Sequence, residues 1–233
     1  MRESTGISPL EDILWKLQLF HGIQAGTLRE GAYRAKLMNA YRGATLVHRG
    51  ARLPGIIVVL SGSLKLALRA PGREMRVLGI ITPGQTFGEA FALLDRASPF
   101  DVAAVVDANI AALSLSWIRA LMARELRFAR NMANALAEQT VVFVAELEAD
   151  ALQRASQRLA SYLASVAVPL AKRGRWRAEL PFSKTLLAAR LGMKKETLSR
   201  LFRQFTDDGV ISVSQRDVSI FNRDRLVELV DAA

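Results

Sequence analysis

Pro181 to Ile211 reads PFSKTLLAARLGMKKETLSRLFRQFTDDGVI, and the spacing of its apolar residues decides the architecture of the C-terminal part of the chain. Leu187, Ala188 and Leu191 fall where one face of a short helix buries them, with Ser183 placed to cap its N-terminus. Gly192 follows directly, the residue best suited to the left-handed backbone that ends a helix sharply. A second helix is expected from about Lys194 to Thr206. Its Leu198, Leu201, Phe202 and Phe205 stand at i, i+3, i+4 and i+7, a stripe for burial. Glu196, Ser199, Arg200 and Arg203 occupy the other face at the same spacing, all of them hydrogen-bonding types. Two short helices about a tight glycine turn, the second with a polar outer face, describe a helix-turn-helix. An ordinary helical hairpin with a solvated charged face has the same helical periodicity, and the segment after the second helix separates the two readings.

Beyond Gly209 come two short alternating runs, Val210–Val213 and Val218–Phe221, joined by Ser214–Asp217, which read as a β-hairpin wing. The pattern L-A-x-x-L-G-x-x-x-E-T-x-S-R followed by D-G-V-I resembles the DNA-binding domain of the CRP/FNR family of bacterial transcription regulators. That resemblance implies a homodimer on a palindromic double-stranded DNA operator, and contact with RNA polymerase through the turn Ala70–Glu74. It places Glu196, Ser199 and Arg200 on base edges, with Lys195 and Arg203 on phosphates and Ser183 and Lys184 also at the DNA. E-T-x-S-R is similar to FNR-type and Dnr-type regulators, which implies a TTGAT-like half-site.

Charge agrees with a phosphate-binding module. The formal net charge is +10. From Ala151 onward there are 15 Lys and Arg against 8 Asp and Glu, net +7, and the rest contributes +3. No stretch approaches the roughly 20 apolar residues that span a bilayer, and Met1–Asp12 has neither region of a signal peptide. The expected location is the cytoplasm, with no membrane partner. With no cysteine, disulfides, thiol catalysis and a cysteine-ligated iron–sulfur cluster are excluded.

Upstream, Ile7–Leu37 reads as short helical segments, with Ile13, Leu14 and Leu17 as an apolar stripe and Trp15, Phe20 and His21 as packing residues. From Tyr41 short apolar runs alternate with Gly and Pro: Ala44–His48, Ile56–Leu60, Ser63–Leu68, Met75–Ile81, Val102–Val106 and Ile110–Leu115, with Pro71-Gly72 and Pro83-Gly84 as turns. This spacing indicates an antiparallel sandwich or barrel. IIVVLSGSLKL (Ile56–Leu66) and PGQTFGEAFALL (Pro83–Leu94) resemble the β-roll of the cyclic-nucleotide-binding fold. Helical periodicity returns at Ser116 and runs to about Asp150. A second helix is expected over Ala151–Val168, its AlaSerGlnArgLeu run (Ala155–Leu159) resembling the family's hinge into the DNA-binding domain. The basic loop Lys172–Arg177 then leads into a strand at Arg177–Leu180.

The expected fold is therefore α+β. An N-terminal antiparallel β-roll with its preceding helices occupies 1–117, a long dimerisation helix 118–150, and a winged helix-turn-helix 151–233. Met132, Leu136, Gln139, Phe143 and Leu147 share one stripe of the long helix, and the resemblance implies that the helix pairs there with its twin.

The same resemblance raises the question of an effector. Members that bind cyclic AMP hold its ribose with the Glu after F-G, and Phe87-Gly88-Glu89 retains this. They hold the phosphate with an Arg–Ser pair about ten residues on, where this chain has Ser98-Pro99-Phe100-Asp101. An anion there loses its bidentate partner and gains a carboxylate. Where hydroxyls would meet the base the chain reads Val141-Val142-Phe143-Val144. The pocket residues are then Gly88, Glu89, Phe100, Asp101, Val141 and Val144, and the departures argue against cyclic AMP. The runs P-F-S-K and I-F-N-R-D-R-L (Ile220–Leu226) resemble the Dnr/Nnr regulators, a branch tied to nitric oxide and haem. Haem would draw on His21 or His48, and regulation without a ligand is the other alternative.

Two further classes fit less well. For an enzyme, the chain offers no nucleophile–base–orienter set and no P-loop, and two histidines do not make a typical zinc site. A ligand-binding module without DNA has no use for the basic winged domain.

Overall fold

The computed structural model describes residues 9–69, 72, 74–170, 175–180 and 183–231. Pro71, most of the loop from Lys172, and Pro181-Phe182 lie outside the described residues, as does most of the Ala70–Glu74 turn. The chain divides into two compact units, residues 1–69 with 78–142 and residues 70–77 with 143–233.

In the first unit α1 (Pro9–Lys16) and α2 (Ala25–Arg34) precede a sheet built of β1 (Lys36–Ala40), β2 (Thr45–Val47), β3 (Gly55–Leu68), β4 (Arg76–Ile81), β5 (Thr86–Phe87) and β6 (Asp101–Ser114). α3 (Glu89–Leu93) lies between β5 and β6. The strand order is β1-β6-β3-β4, with β2 on β6 and β5 on β3. Leu37, expected at the end of a helical stretch, belongs instead to edge strand β1, where Leu37 pairs with Ala111.

The four runs expected as separate strands fuse into two strands of 14 residues, β3 and β6. Ser61-Gly62 has turn composition but is an irregularity within the strand, with register shifts between Val59, Ser61, Ser63 and Leu64. Gly62 has φ +78°, and a Cβ there would lie 2.1 Å from the Asp107 carbonyl oxygen, so only glycine lets the strands approach. The sheet's inner residues, among them Ile57, Val59, Leu64, Phe87 and Val102, make one core. A second forms where α1, Phe20 and Leu28 meet Trp117, Ile118, Leu121, Phe128 and Met132.

The long helical region is two helices, α4 (Leu115–Arg124) and α5 (Leu126–Leu152). They are separated by Glu125, whose φ of −118° and ψ of 93° are extended. α6 (Ala155–Val166) begins later than expected, at a turn where the Arg154 N–H donates to Gln157 Oε1 at 2.7 Å.

In the second unit a four-stranded sheet, β7 (Val168–Pro169), β8 (Trp176–Glu179), β10 (Asp217–Ile220) and β9 (Ile211–Ser214) in that order, packs with α6, α7 (Lys184–Arg190), α8 (Lys195–Asp207) and α9 (Arg223–Asp231). The wing hairpin β9–β10 pairs Ser214 with Asp217 and Ile211 with Ile220. Gln215, with φ of 53°, makes its turn.

Candidate nucleic-acid interface

α7 starts where Ser183 Oγ accepts the Leu186 N–H at 3.3 Å. It ends at Leu191, after which Gly192 takes φ +61°. The Met193 N–H then returns to the Ala188 carbonyl at 3.0 Å, closing the turn from which α8 departs. Leu186, Leu187, Ala188 and Leu191 are buried, and α8 answers with Leu198, Leu201, Phe202 and Phe205. The expected stripe is thus the packed one, and burying both phenylalanines fixes which way α8 is rolled: Phe→Ala at such a position costs about 3–5 kcal/mol.

That roll turns Lys195, Glu196, Ser199, Arg200 and Arg203 outward, all exposed, and the five line one open groove. Among the described hydrogen bonds and ion pairs, none engages Arg200 or Arg203. Both guanidinium forks face solvent. Lys184, also exposed, lies with its ammonium 5.5 Å from the Phe202 ring centroid. The wing is pinned separately: Arg177 on β8 donates to Asp217 on β10 through Nε at 2.7 Å, and this pairing raises the Arg177 pKa above its ordinary value.

Behind the groove, α7 is tied back to α5. Arg190 pairs with Glu146, the two side chains about one-third exposed. Burial pushes the Tyr162 phenol up, and the charge of Arg190 partly offsets it. Arg158 on α6 donates to the carbonyls of Gln153, Leu191 and Gly192. The resemblance sets Ala155–Leu159 against the family's hinge but gives Arg158 no role, since its acceptors are backbone atoms that side-chain patterning does not reveal.

On α5 the structure separates two stripes. At about 100° per residue, Phe128, Met132, Leu136, Gln139 and Phe143 share one side. Phe128 and Met132 are fully buried in their own unit, and Leu136 packs beside them. Met132, expected at a dimer interface, is spent on this core and is not available to a partner. The neighbouring side carries Leu126, Ala133, Ala137, Thr140, Val144, Leu147 and Ala151 in alternating steps of four and three, interrupted only by Arg130, and all are exposed. Leu147, expected on the Met132 stripe, lies at the border of the two. Leu126 is 73% exposed, Val144 57% and Leu147 53%, high values for apolar side chains on a regular helix. Thr140 donates its hydroxyl to the Leu136 carbonyl at 2.8 Å, which satisfies its polar atom within the helix.

The residues expected around an effector do not all converge. Gly88 has φ +93°, and a Cβ there would press on Leu53 at 2.7 Å. Glu89 is 2% exposed. Its Oε1 has no hydrogen-bond partner among the described residues, and Oε2 lies 3.5 Å from Gln139 Nε2. Phe100 is buried edge-on to Phe91, centroids 5.4 Å apart. Asp101 accepts the Arg49 N–H at 2.9 Å and lies 3.9 Å from Arg69 Nε, so its charge is directed to that loop. Val141 and Val144 are exposed. His21 and His48 are both at the surface, His48 with Nδ1 4.0 Å from Asp101. Among the described residues no helix is long and apolar enough to cross a membrane.

Residues 37–125 match the cyclic nucleotide-binding domain and residues 157–229 the Crp-like helix-turn-helix domain. The transcriptional regulatory protein btr of Bordetella pertussis is 26% identical over 195 residues, covering 81% of this chain and 78% of its own. The cyclic AMP receptor protein of Thermus thermophilus is 26% identical over 204 residues, covering 87% and 91%. Among solved structures, FixK2 from Bradyrhizobium japonicum superposes with a TM-score of 0.71 at 19% identity, over 85% of this chain and 98% of that one. A variant of CooA from Carboxydothermus hydrogenoformans reaches 0.75 at 17%, over 90% and 92%. At those identities the likeness is one of fold. A cyclic-nucleotide-binding β-roll, a long helix and a Crp-like helix-turn-helix, in this order, make the chain a member of the CRP/FNR superfamily, a DNA-binding transcription regulator rather than an enzyme.

Proposed function

We propose that the chain acts as a homodimer which reads an inverted repeat through α8, with Arg200, Glu196 and Ser199 on base edges and Lys195 and Arg203 on phosphates. The observation that carries this is the roll of α8: four buried apolar side chains leave five polar ones on a single exposed face. Arg200 has the planar fork that fits guanine O6 and N7, and Glu196, one turn earlier, can accept from a cytosine N4 amine. Ser183 and Lys184, at the exposed start of α7, suit phosphate contact. The E-T-x-S-R arrangement favours a TTGAT-like half-site of the FNR or Dnr/Nnr type.

Dimerisation falls to the exposed four-three seam of α5, because a helix with apolar residues at that spacing buries them against a copy of itself. The β-roll, by this reading, does not serve cyclic AMP, although the Thermus relative's name assigns that ligand to it. Pro99 and Phe100 stand where an anion needs a donor pair, and Phe100 is committed to packing against Phe91. Promoter activity would follow from contact with RNA polymerase through a loop of the β-roll.

Selection of duplexes from a random pool tests the reading. The enriched motif should be an inverted repeat with a G·C step in each half. Enrichment without any shared motif, as binding through phosphates alone would give, would sink it. An absorption spectrum of the chain as purified separates a haem-bound regulator from one without ligand.

A further inference from the structure

We infer that Arg158 is a positioning residue for base reading: its guanidinium joins the C-terminal end of α5 to the turn from which α8 departs. This rests on α8 being the recognition helix. Nε donates to the Leu191 carbonyl at 2.8 Å, one terminal nitrogen to the Gln153 carbonyl at 2.5 Å and the other to the Gly192 carbonyl at 3.4 Å. Leu191 caps α7, and Gln153 follows the last residue of α5, its N–H still bonded to the Ala149 carbonyl. Two of the three acceptors, the carbonyls of Gln153 and Leu191, therefore stand at the negative ends of α5 and α7, where a cation is most favourable, and the third, that of Gly192, lies one residue beyond.

The position of this clamp matters because α8 leaves directly from it. Gly192 is in the left-handed turn, Met193 closes that turn, and α8 begins at Lys195. A displacement of the Gly192 carbonyl tilts the axis of α8, and Arg200 lies on the second turn of that helix. The Arg190–Glu146 pair supplies a second tie between α7 and α5 but reaches neither the glycine turn nor the Gln153 carbonyl. Arg158 is half-buried, and its three nitrogens are already occupied, so it is not disposed to hold phosphate. A lysine keeps the charge but cannot fork to three acceptors.

The experiment compares the unmodified chain, Arg158→Lys, Arg158→Ala and Arg200→Ala. Each is titrated with the duplex enriched from the random pool and with a scrambled duplex, over a range of salt, alongside thermal melting. For Arg158→Lys the expected result is a loss of about tenfold or more on the enriched duplex, with less than about twofold on the scrambled one and an unchanged salt slope. Equal losses on both duplexes with a salt slope reduced by about one would make Arg158 a phosphate ligand and overturn the proposal. Unchanged specificity with only a lower melting temperature would also overturn it, leaving Arg158 a purely structural tie. If Arg158→Ala does not fold, the lysine variant decides. Arg200→Ala keeps the two readings apart. If it leaves base preference untouched, the assignment of α8 itself fails. If it relaxes preference while Arg158→Lys does not, only the clamp fails.

Discussion

Arg200 and Lys195 sit five residues apart on one exposed face, and the proposed reading gives them different work. A guanidinium that reaches two acceptors on one guanine discriminates, whereas an ammonium on a flexible stem adds charge wherever a phosphate lies. Arg200→Ala should therefore cost about 1–3 kcal/mol per half-site and relax the preference at the guanine. Lys195→Ala should weaken binding to all sequences alike and shallow the salt dependence by about one counterion. Competition between matched and single-mismatch duplexes, repeated at several salt concentrations, measures both effects. A base preference that survives Arg200→Ala would remove Arg200 from the reading set. These side chains are legible in the sequence because an amphipathic helix needs only its buried stripe to fix its exposed one. Arg158 is not, because its acceptors are carbonyls brought together by the fold.

At the scale of elements, the helix-turn-helix and its wing follow the sequence closely, since Ser183, Gly192 and the i, i+3, i+4, i+7 stripe act locally. The β-roll is less legible. Gly62 has the composition of a turn, yet it is what allows two long strands to lie close past an irregularity, a long-range fact about Asp107 across the sheet. α5 misleads for another reason. Two apolar stripes run side by side along it, and the bulkier one, through Met132 and Leu136, draws the assignment to a dimer interface. Large side chains there serve the core against α1 and Trp117, while the neighbouring four-three stripe stays exposed. The two stripes should respond in opposite ways. Met132→Ala should lower unfolding free energy by about 2–5 kcal/mol and leave the association constant nearly unchanged. Leu147→Glu should leave melting of the dilute chain nearly unchanged and shift sedimentation toward monomer, because it places charge in an apolar seam. The reverse outcome would return the interface to the Met132 side.

For the whole molecule, two consequences reach beyond single elements. The first concerns the effector: a ligand shifts a regulator only by its difference in affinity between the two states. On the proposed reading, in which Pro99-Phe100 stands in place of an Arg–Ser pair, cyclic AMP would have little affinity to contribute in either. Calorimetry should find no micromolar binding, and the nucleotide should leave operator affinity unchanged. The second concerns symmetry. A two-fold dimer presents two copies of α8 at one separation, and B-DNA repeats its major groove on one face about every 10 base pairs. Half-site centres in the selected duplex should therefore lie about 10 base pairs apart. Inserting five base pairs between the halves carries the second half-site to the opposite face of the duplex, so only one α8 can engage. Affinity should then fall to that of an isolated half-site, and the Leu147→Glu chain should bind the original and the expanded duplex equally. A chain that binds the expanded duplex as tightly as the original, with the seam intact, would show that its two half-sites are not read as one rigid pair.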